Sequence, residues 1–512
     1  MTDAAKRPTL SLAAYGCVVY LSLPVFAFLL GWVALPLGYV LAGLLFGLLV
    51  FVYREYVEPL DRRGRLSPHD QRRLALCLAA ALVWVFSGGI GHFIFATYDW
   101  AFRDGILRDL TFTDWPVGYA SKDGLAAVLR VPLGYYLIPA LAGKIAGYEA
   151  AAPAVFINTA LGVFLFFLVI TERSARLRYA AILLTVFALF SGMKLIGVLL
   201  MQQVEAGHWV APLWPPYMHL WARFAHYSSV TTELYYCPNH AMPAMLLAGL
   251  WWRYRDAPRL LQIGALAVPV ATLWSPFATL GIAPFLAYSL IQHRKALFAA
   301  LSPFLALGPL LVMAPALFYM TRDIGHVPYI WIGGSLYLSP VLIVKYYLPF
   351  VTLEFVALIF FLFQPRRPLL LPLIAVVLAT LPLFWLGFYS DFAQQTALAS
   401  LMILALFTGH WLIENAGRWR GGFRYDIAVI VILAIGAITP LQEIYINYTS
   451  PRWDYNPDCT LIDAWKQSKI NPSLAEQIAY VKDPEIILQP RAITAERADT
   501  TASCWPKLKW LH

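Results

Sequence analysis

The sequence predicts an all-α polytopic membrane protein: a bundle of about 13 transmembrane helices with one long outer loop and a small C-terminal lobe outside the membrane. Three observations predict it. Of 512 residues, 60% are hydrophobic and 13% charged, with mean hydropathy +0.64, whereas soluble domains carry about 25% charged residues. Apolar runs long enough to cross a bilayer recur along the chain, separated by short polar breaks. The 18 Trp and 28 Tyr suit two membrane interfaces, or alternatively the lining of a lipid or sugar groove.

Taken in order, spans are expected near 10–30, 34–53, 75–96, 151–170, 179–200, 240–252, 260–275, 277–291, 297–319, 338–363, 369–388, 396–413 and 425–440. The first follows Lys6 and Arg7, shows no small-residue cleavage site and reads as a retained helix. The spans at 240–252, 260–275 and 277–291 fall short of the roughly 20 residues of a straight crossing. Pro269, Pro276 and Pro284 fit that irregularity. The net charge of +9 does not point to nucleic acid, because the positive charges sit in short interhelical breaks. More than half of the 38 basic residues gather at 6–7, 54–73, 173–178, 253–259, 294–295, 366–367 and 418–424. Placing these on the cytoplasmic side puts the N-terminus inside and the C-terminus outside.

Val128–Ile145 is apolar enough to span, but a crossing there would flip every later basic loop. It is therefore expected to lie in the outer interface or to re-enter, interrupted by Pro132 and Pro139. The chain divides into 1–74 (two helices and a basic loop), a core of 75–440 with its outer loop at 97–150, and a polar tail at 441–512. Cys17 and Cys77 fall in apolar spans, while Cys237, Cys459 and Cys504 fall on the outer side, where disulfides persist. A Cys459–Cys504 bond would tie the tail together, although three outer cysteines leave the pairing open.

The stretch Tyr98–Tyr119, YDWAFRDGILRDLTFTDWPVGY, gathers Asp99, Asp104, Asp109 and Asp114 with Arg103 and Arg108. Asp99 stands just beyond the third span, and Arg108 follows Asp104 by four residues, the spacing of a helical ion pair. One reading is a solvated, salt-bridged loop. The other is a site at the membrane surface, where a carboxylate takes the proton of an acceptor hydroxyl as it attacks an anomeric carbon. Arg103, Arg108, Lys122 or Arg130 would then neutralise a departing lipid phosphate. No P-loop, dinucleotide fingerprint, HExxH or GxSxG motif occurs.

An apolar helix followed by a long outer loop, acidic at its start and then lying on the membrane, resembles the GT-C superfamily of membrane glycosyltransferases. The strings YDW, LRDL, DWPV and the later YSDFA also look like poorly characterised bacterial members. The resemblance implies a GT-C-like bundle and a polyprenyl-phosphate-linked sugar donor. It also implies a glycan, lipid or protein acceptor and a site on the periplasmic face of a bacterial inner membrane. The catalytic base of that family carries over to Asp99, with Asp109 second. Two spans before the loop-bearing helix and well-separated carboxylates depart from the pattern. No metal or other cofactor is assigned.

Further candidates lie near the membrane. Lys345 is read as a phosphate contact or as a snorkelling lysine, and Asp391 as a substrate contact or a helix cap. Tyr235, Tyr236, Asn239 and His240 would line an acceptor groove or belong to an interfacial aromatic belt. His92 reads as a hydrogen-bonded packing residue, and Lys194 and Glu354 as intramembrane charges. A transporter or flippase for lipid-linked glycans is the alternative function.

Overall fold

The computed structural model describes residues 9–57, 66–120, 126–209, 218, 221–222, 224–300, 302–322, 329–331, 340–363, 369–386, 390–415, 424–468, 478–481 and 503–505. Helix α1 (Leu12–Trp32) starts at Ser11, whose hydroxyl accepts the Ala14 amide hydrogen. It forms a hairpin with α2 (Leu35–Tyr56), closed by the Leu10 amide donating to the Tyr56 carbonyl. On α2, Leu37, Val40 and Phe46 face outward, as on a helix solvated by lipid chains. Next come α3 (Pro68–Ser87), α4 (Trp100–Phe112), α5 (Leu137–Ala146), α6 (Ala151–Thr171), α7 (Leu177–Ala188) and α8 (Lys194–Ala206).

Short α9 (Val230–Tyr236) leads into α10 (Pro238–Tyr254), α11 (Pro258–Leu261), α12 (Gly264–Ala271), kinked α13 (Pro276–Ala300) and α14 (Pro303–Met320). Helix α15 (Pro340–Val351) continues through a π-helical turn, Thr352–Val356, into α16 (Ala357–Leu362). The remaining helices are α17 (Leu370–Thr380), α18 (Asp391–Asn415), α19 (Tyr425–Gly436), α20 (Ile438–Thr449) and α21 (Leu461–Lys466). Helix α18 forms the centre, packed on α7, α10, α13 and α17 and buried along most of its length.

Among the described residues, seven helical stretches are long and apolar enough to cross a membrane. They are Leu12–Trp32, Leu35–Tyr56, Tyr148–Thr171, Pro303–Met320, Val344–Leu362, Asp391–Asn415 and Tyr425–Thr449. This is the pattern of a multi-pass membrane protein, and it corrects the expected bundle of about 13 spans. The excess arose because apolar sequence was equated with straight helix. The run 179–200 breaks after Ala188, and α8 begins only at Lys194. The run 260–275 becomes α11 and α12, and 369–388 ends as a helical turn and a strand. The run 75–96 stops at Ser87, followed by Gly88, Gly89 and a chain reversal. At Gly89 φ is +67°, and a Cβ would meet the Phe95 carbonyl oxygen at 2.0 Å, so no other residue fits without displacing backbone.

Small sheets, which the sequence did not suggest, complete the loops. Strands β1 (Gly118–Ala120) and β2 (Ala126–Leu129) pair antiparallel, Gly118 opposite Val128. Strand β3 (Tyr329–Trp331) pairs with β4 (Phe384–Leu386). From the tail, β5 (Ile478–Val481) adds to the other edge of β2, Ala127 opposite Tyr480. Val128–Ile145 is thus a strand, a helical turn and α5, whose 10 residues are too few to cross a bilayer.

Candidate functional site

The acidic stretch folds as α4, and its carboxylates part company. Asp99 takes the cap position, yet its side chain caps no amide. Its carboxylate remains 41% exposed, and its partner among the described residues is the Arg103 guanidinium at 3.9 Å. Desolvation by the surrounding protein pushes the Asp99 carboxyl upward, with Arg103 pulling the other way. Arg103 is reached by three further groups: Nη1 donates to the Tyr136 hydroxyl (3.1 Å) and the Asn239 Oδ1 (2.9 Å), and Nη2 to the Cys237 sulfur (3.3 Å). Its Nε is buried without a hydrogen-bond partner among the described residues. The start of α4, the end of α9 and the start of α10 therefore converge on one cation with an accessible carboxylate beside it.

Asp104 and Asp109 point elsewhere. Asp104 does not pair with Arg108, as the four-residue spacing suggested; it bonds His92 Nε2 at 2.8 Å. The other ring nitrogen, Nδ1, lies 3.0 Å from the Trp453 carbonyl oxygen. A carbonyl and a carboxylate are both acceptors, so this geometry calls for a doubly protonated imidazolium. Burial opposes the charge on His92, but Asp104, its hydrogen bond, the Trp453 carbonyl and Asp454 outweigh burial and raise its pKa. Asp109 is fully enclosed, accepting from the Tyr119 hydroxyl (2.7 Å) and the Leu461 amide (3.0 Å), with Arg108 Nη1 at 3.3 Å. Arg108 Nε donates to the Pro457 carbonyl. These residues clamp the tail onto α4.

The other candidates are dispersed. Tyr235 is buried with its ring against Gly88, its carbonyl accepting from Trp100 Nε1. Tyr236 donates to Glu443 (3.2 Å), and His240 Nδ1 lies 2.7 Å from the Ser275 hydroxyl. Arg130 reaches the Met320 carbonyl at the end of α14, and Lys345 lies over the Tyr346 ring. Asp391 opens α18, half-buried, and contributes to the field at Cys237 together with Arg103 and Asp99. Lys122 lies outside the described residues. Cys459 and Cys504 form a disulfide with Cα atoms 5.7 Å apart, while Cys237 stays a thiol. Among the described residues no three His, Cys, Asp or Glu side chains are grouped to hold a metal ion.

Sequence reading missed Tyr136 as an Arg103 ligand and passed over Glu233, an acid enclosed on α9. Its only signal was a single charge in the string ELYYCPNH. Fold and site together define a multi-pass membrane protein with a polar centre where α4, α9 and α10 meet. Compared with known proteins, the chain matches no family model, no curated protein and no solved structure at a significant level.

Proposed function

We propose that the protein is a membrane glycosyltransferase. It would move a sugar from a polyprenyl-phosphate-linked donor to a glycan, lipid or protein acceptor on the periplasmic face of a bacterial inner membrane. The orientation of this reading has the N-terminus cytoplasmic and the C-terminus periplasmic. One observation carries it: among the acidic residues of this stretch, Asp99 alone joins an accessible carboxylate to a largely buried guanidinium. In the reaction the Asp99 carboxylate takes the proton of the acceptor hydroxyl, and the hydroxyl oxygen bonds to the anomeric carbon. The bond from that carbon to the phosphate oxygen breaks, its electron pair stays on the phosphate, and Arg103 stabilises the charge. Arg108 and Asp109, bound to the tail, take no part.

Asp99→Asn keeps size and polarity and removes the base. With purified protein in nanodiscs and a panel of defined polyprenyl-phosphate sugars, turnover is expected to fall about 10²- to 10⁴-fold. Near-normal turnover would remove Asp99 from the mechanism. Transport of lipid-linked glycans is the second reading, favoured by the enclosed Lys194–Glu354 pair (2.9 Å) and by the polar first turns of α18. Lipid-linked sugar crossing a proteoliposome membrane without any transfer would select it.

A further inference from the structure

Glu233 is a buried acid that the proposed chemistry leaves unused. It sits on α9 with no exposed surface. Its Oε1 accepts from the side-chain amide of Gln394, which also donates to the Ser228 hydroxyl at 3.0 Å. Its Oε2 is buried and has no hydrogen-bond partner among the described residues. Leaving such an oxygen unmet forfeits the hydrogen bond that water would have supplied, and a donor on a ligand would restore it. The pattern repeats at the start of α18, where Ser390 Oγ and Gln395 Oε1 are buried with no hydrogen-bond partner among the described residues. Glu233 Oε2 and Gln395 Oε1 accept hydrogen bonds, and the Ser390 hydroxyl can accept or donate.

Burial pushes the Glu233 carboxyl up to about 7, with Gln394, Ser228 and Arg103 pulling it down and Asp391 adding to the rise. Arg103 stands close by: its Nη2 donates to the Cys237 sulfur (3.3 Å), one helical turn after Glu233, and its Nε has no hydrogen-bond partner among the described residues. A carboxylate oxygen without a partner on Glu233, one turn from the cysteine that Arg103 touches, fits a two-ended ligand, with hydroxyl hydrogens at one end and anionic oxygens at the other.

We propose that Glu233 is a second substrate-contacting carboxylate, its Oε2 accepting a hydroxyl hydrogen of the sugar. This rests on the transferase reading and narrows it: the hydroxylated end seats between α9 and the start of α18, with the phosphate toward Arg103.

The test uses the full chain in nanodiscs and follows modification of Glu233 by dicyclohexylcarbodiimide, read by peptide mass spectrometry at slightly acidic pH. Glu233→Gln assigns the adduct. The probes are undecaprenyl-phosphate glucose, undecaprenyl-phosphate mannose, and free glucose, mannose, galactose and N-acetylglucosamine. At least one, near saturation, is expected to slow modification about tenfold, by occupying the site. Dodecyl phosphate, which carries no sugar hydroxyls, is expected to leave the rate unchanged. Equal rates with and without every sugar overturn the proposal, and so does a Glu233 that the reagent never reaches. The two readings fail separately. Protection in a protein that transfers no sugar removes the transferase and keeps the sugar contact. Transfer by Glu233→Gln with wild-type kcat and KM, and no protection, removes the contact and keeps the transferase.

Discussion

Asp99 and Asp109 stand on one short helix and meet opposite surroundings. The first is accessible at a helix start; the second is enclosed and satisfied by Tyr119 and the Leu461 amide. Asp109→Ala is therefore expected to act on stability: removing one member of a buried pair costs about 3–5 kcal/mol. A lowered Tm checks this, and in whatever protein remains folded, turnover per molecule should stay near wild type. His92 gives the pH dependence. Its folded pKa is raised, so its contribution is complete below the unfolded value of about 6.5 and is lost as pH rises through the folded pKa. Thermal unfolding followed across that window should show wild type losing an advantage that His92→Phe never had. A parallel pH response in the two proteins would count against the imidazolium.

At the scale of elements, α4 is a strut with two working faces. Arg103 faces α9 and α10, while Gly105, Asp109 and Arg108 face the tail. A Cβ on Gly105 would sit 2.9 Å from the Leu461 Cα, so only glycine lets α21 lie this close. Gly105→Ala should cost about 1–3 kcal/mol through overpacking and loosen the tail first. Limited proteolysis checks it: cleavage after residue 450 should rise before any cleavage within the spans. Trp505 strengthens the same contact, its ring edge-on to Phe102 at 5.0 Å and its indole nitrogen donating to the Ala464 carbonyl.

For the whole molecule, the Cys459–Cys504 bond closes a loop with a sequence separation of 45, worth about 4 kcal/mol on the chain-entropy estimate. Reduction should lower the midpoint of tail unfolding, measured by hydrogen exchange, and leave the spans protected. Orientation has its own test. Single cysteines at Asp114 and Glu149, both exposed and flanking the β1–β2–α5 segment, should both react with a membrane-impermeant reagent applied to one face. Labelling of only one would mean that the segment crosses.

Membrane class was legible because composition and apolar runs are local properties. The number of spans was not. The break between α7 and α8 is made by distant chain: the Phe190 carbonyl accepts from Val230, and Gly192 packs on Glu354. The fates of Asp104 and Asp109 were equally hidden, since their partners lie 12 and 352 residues away.

That last separation sets an order of manufacture. Trp453, Leu461 and the strand at 478–481 all follow the candidate span at Tyr425–Thr449, yet they hold Ala96 just before α4, Asp109 on α4 and strand β2 beyond it. The packing around α4 can be finished only after the candidate span at Tyr425–Thr449 and the residues that follow it have been made. Chains arrested just after Thr449 should be inserted in the membrane, yet show α4 as an exposed, protease-sensitive segment.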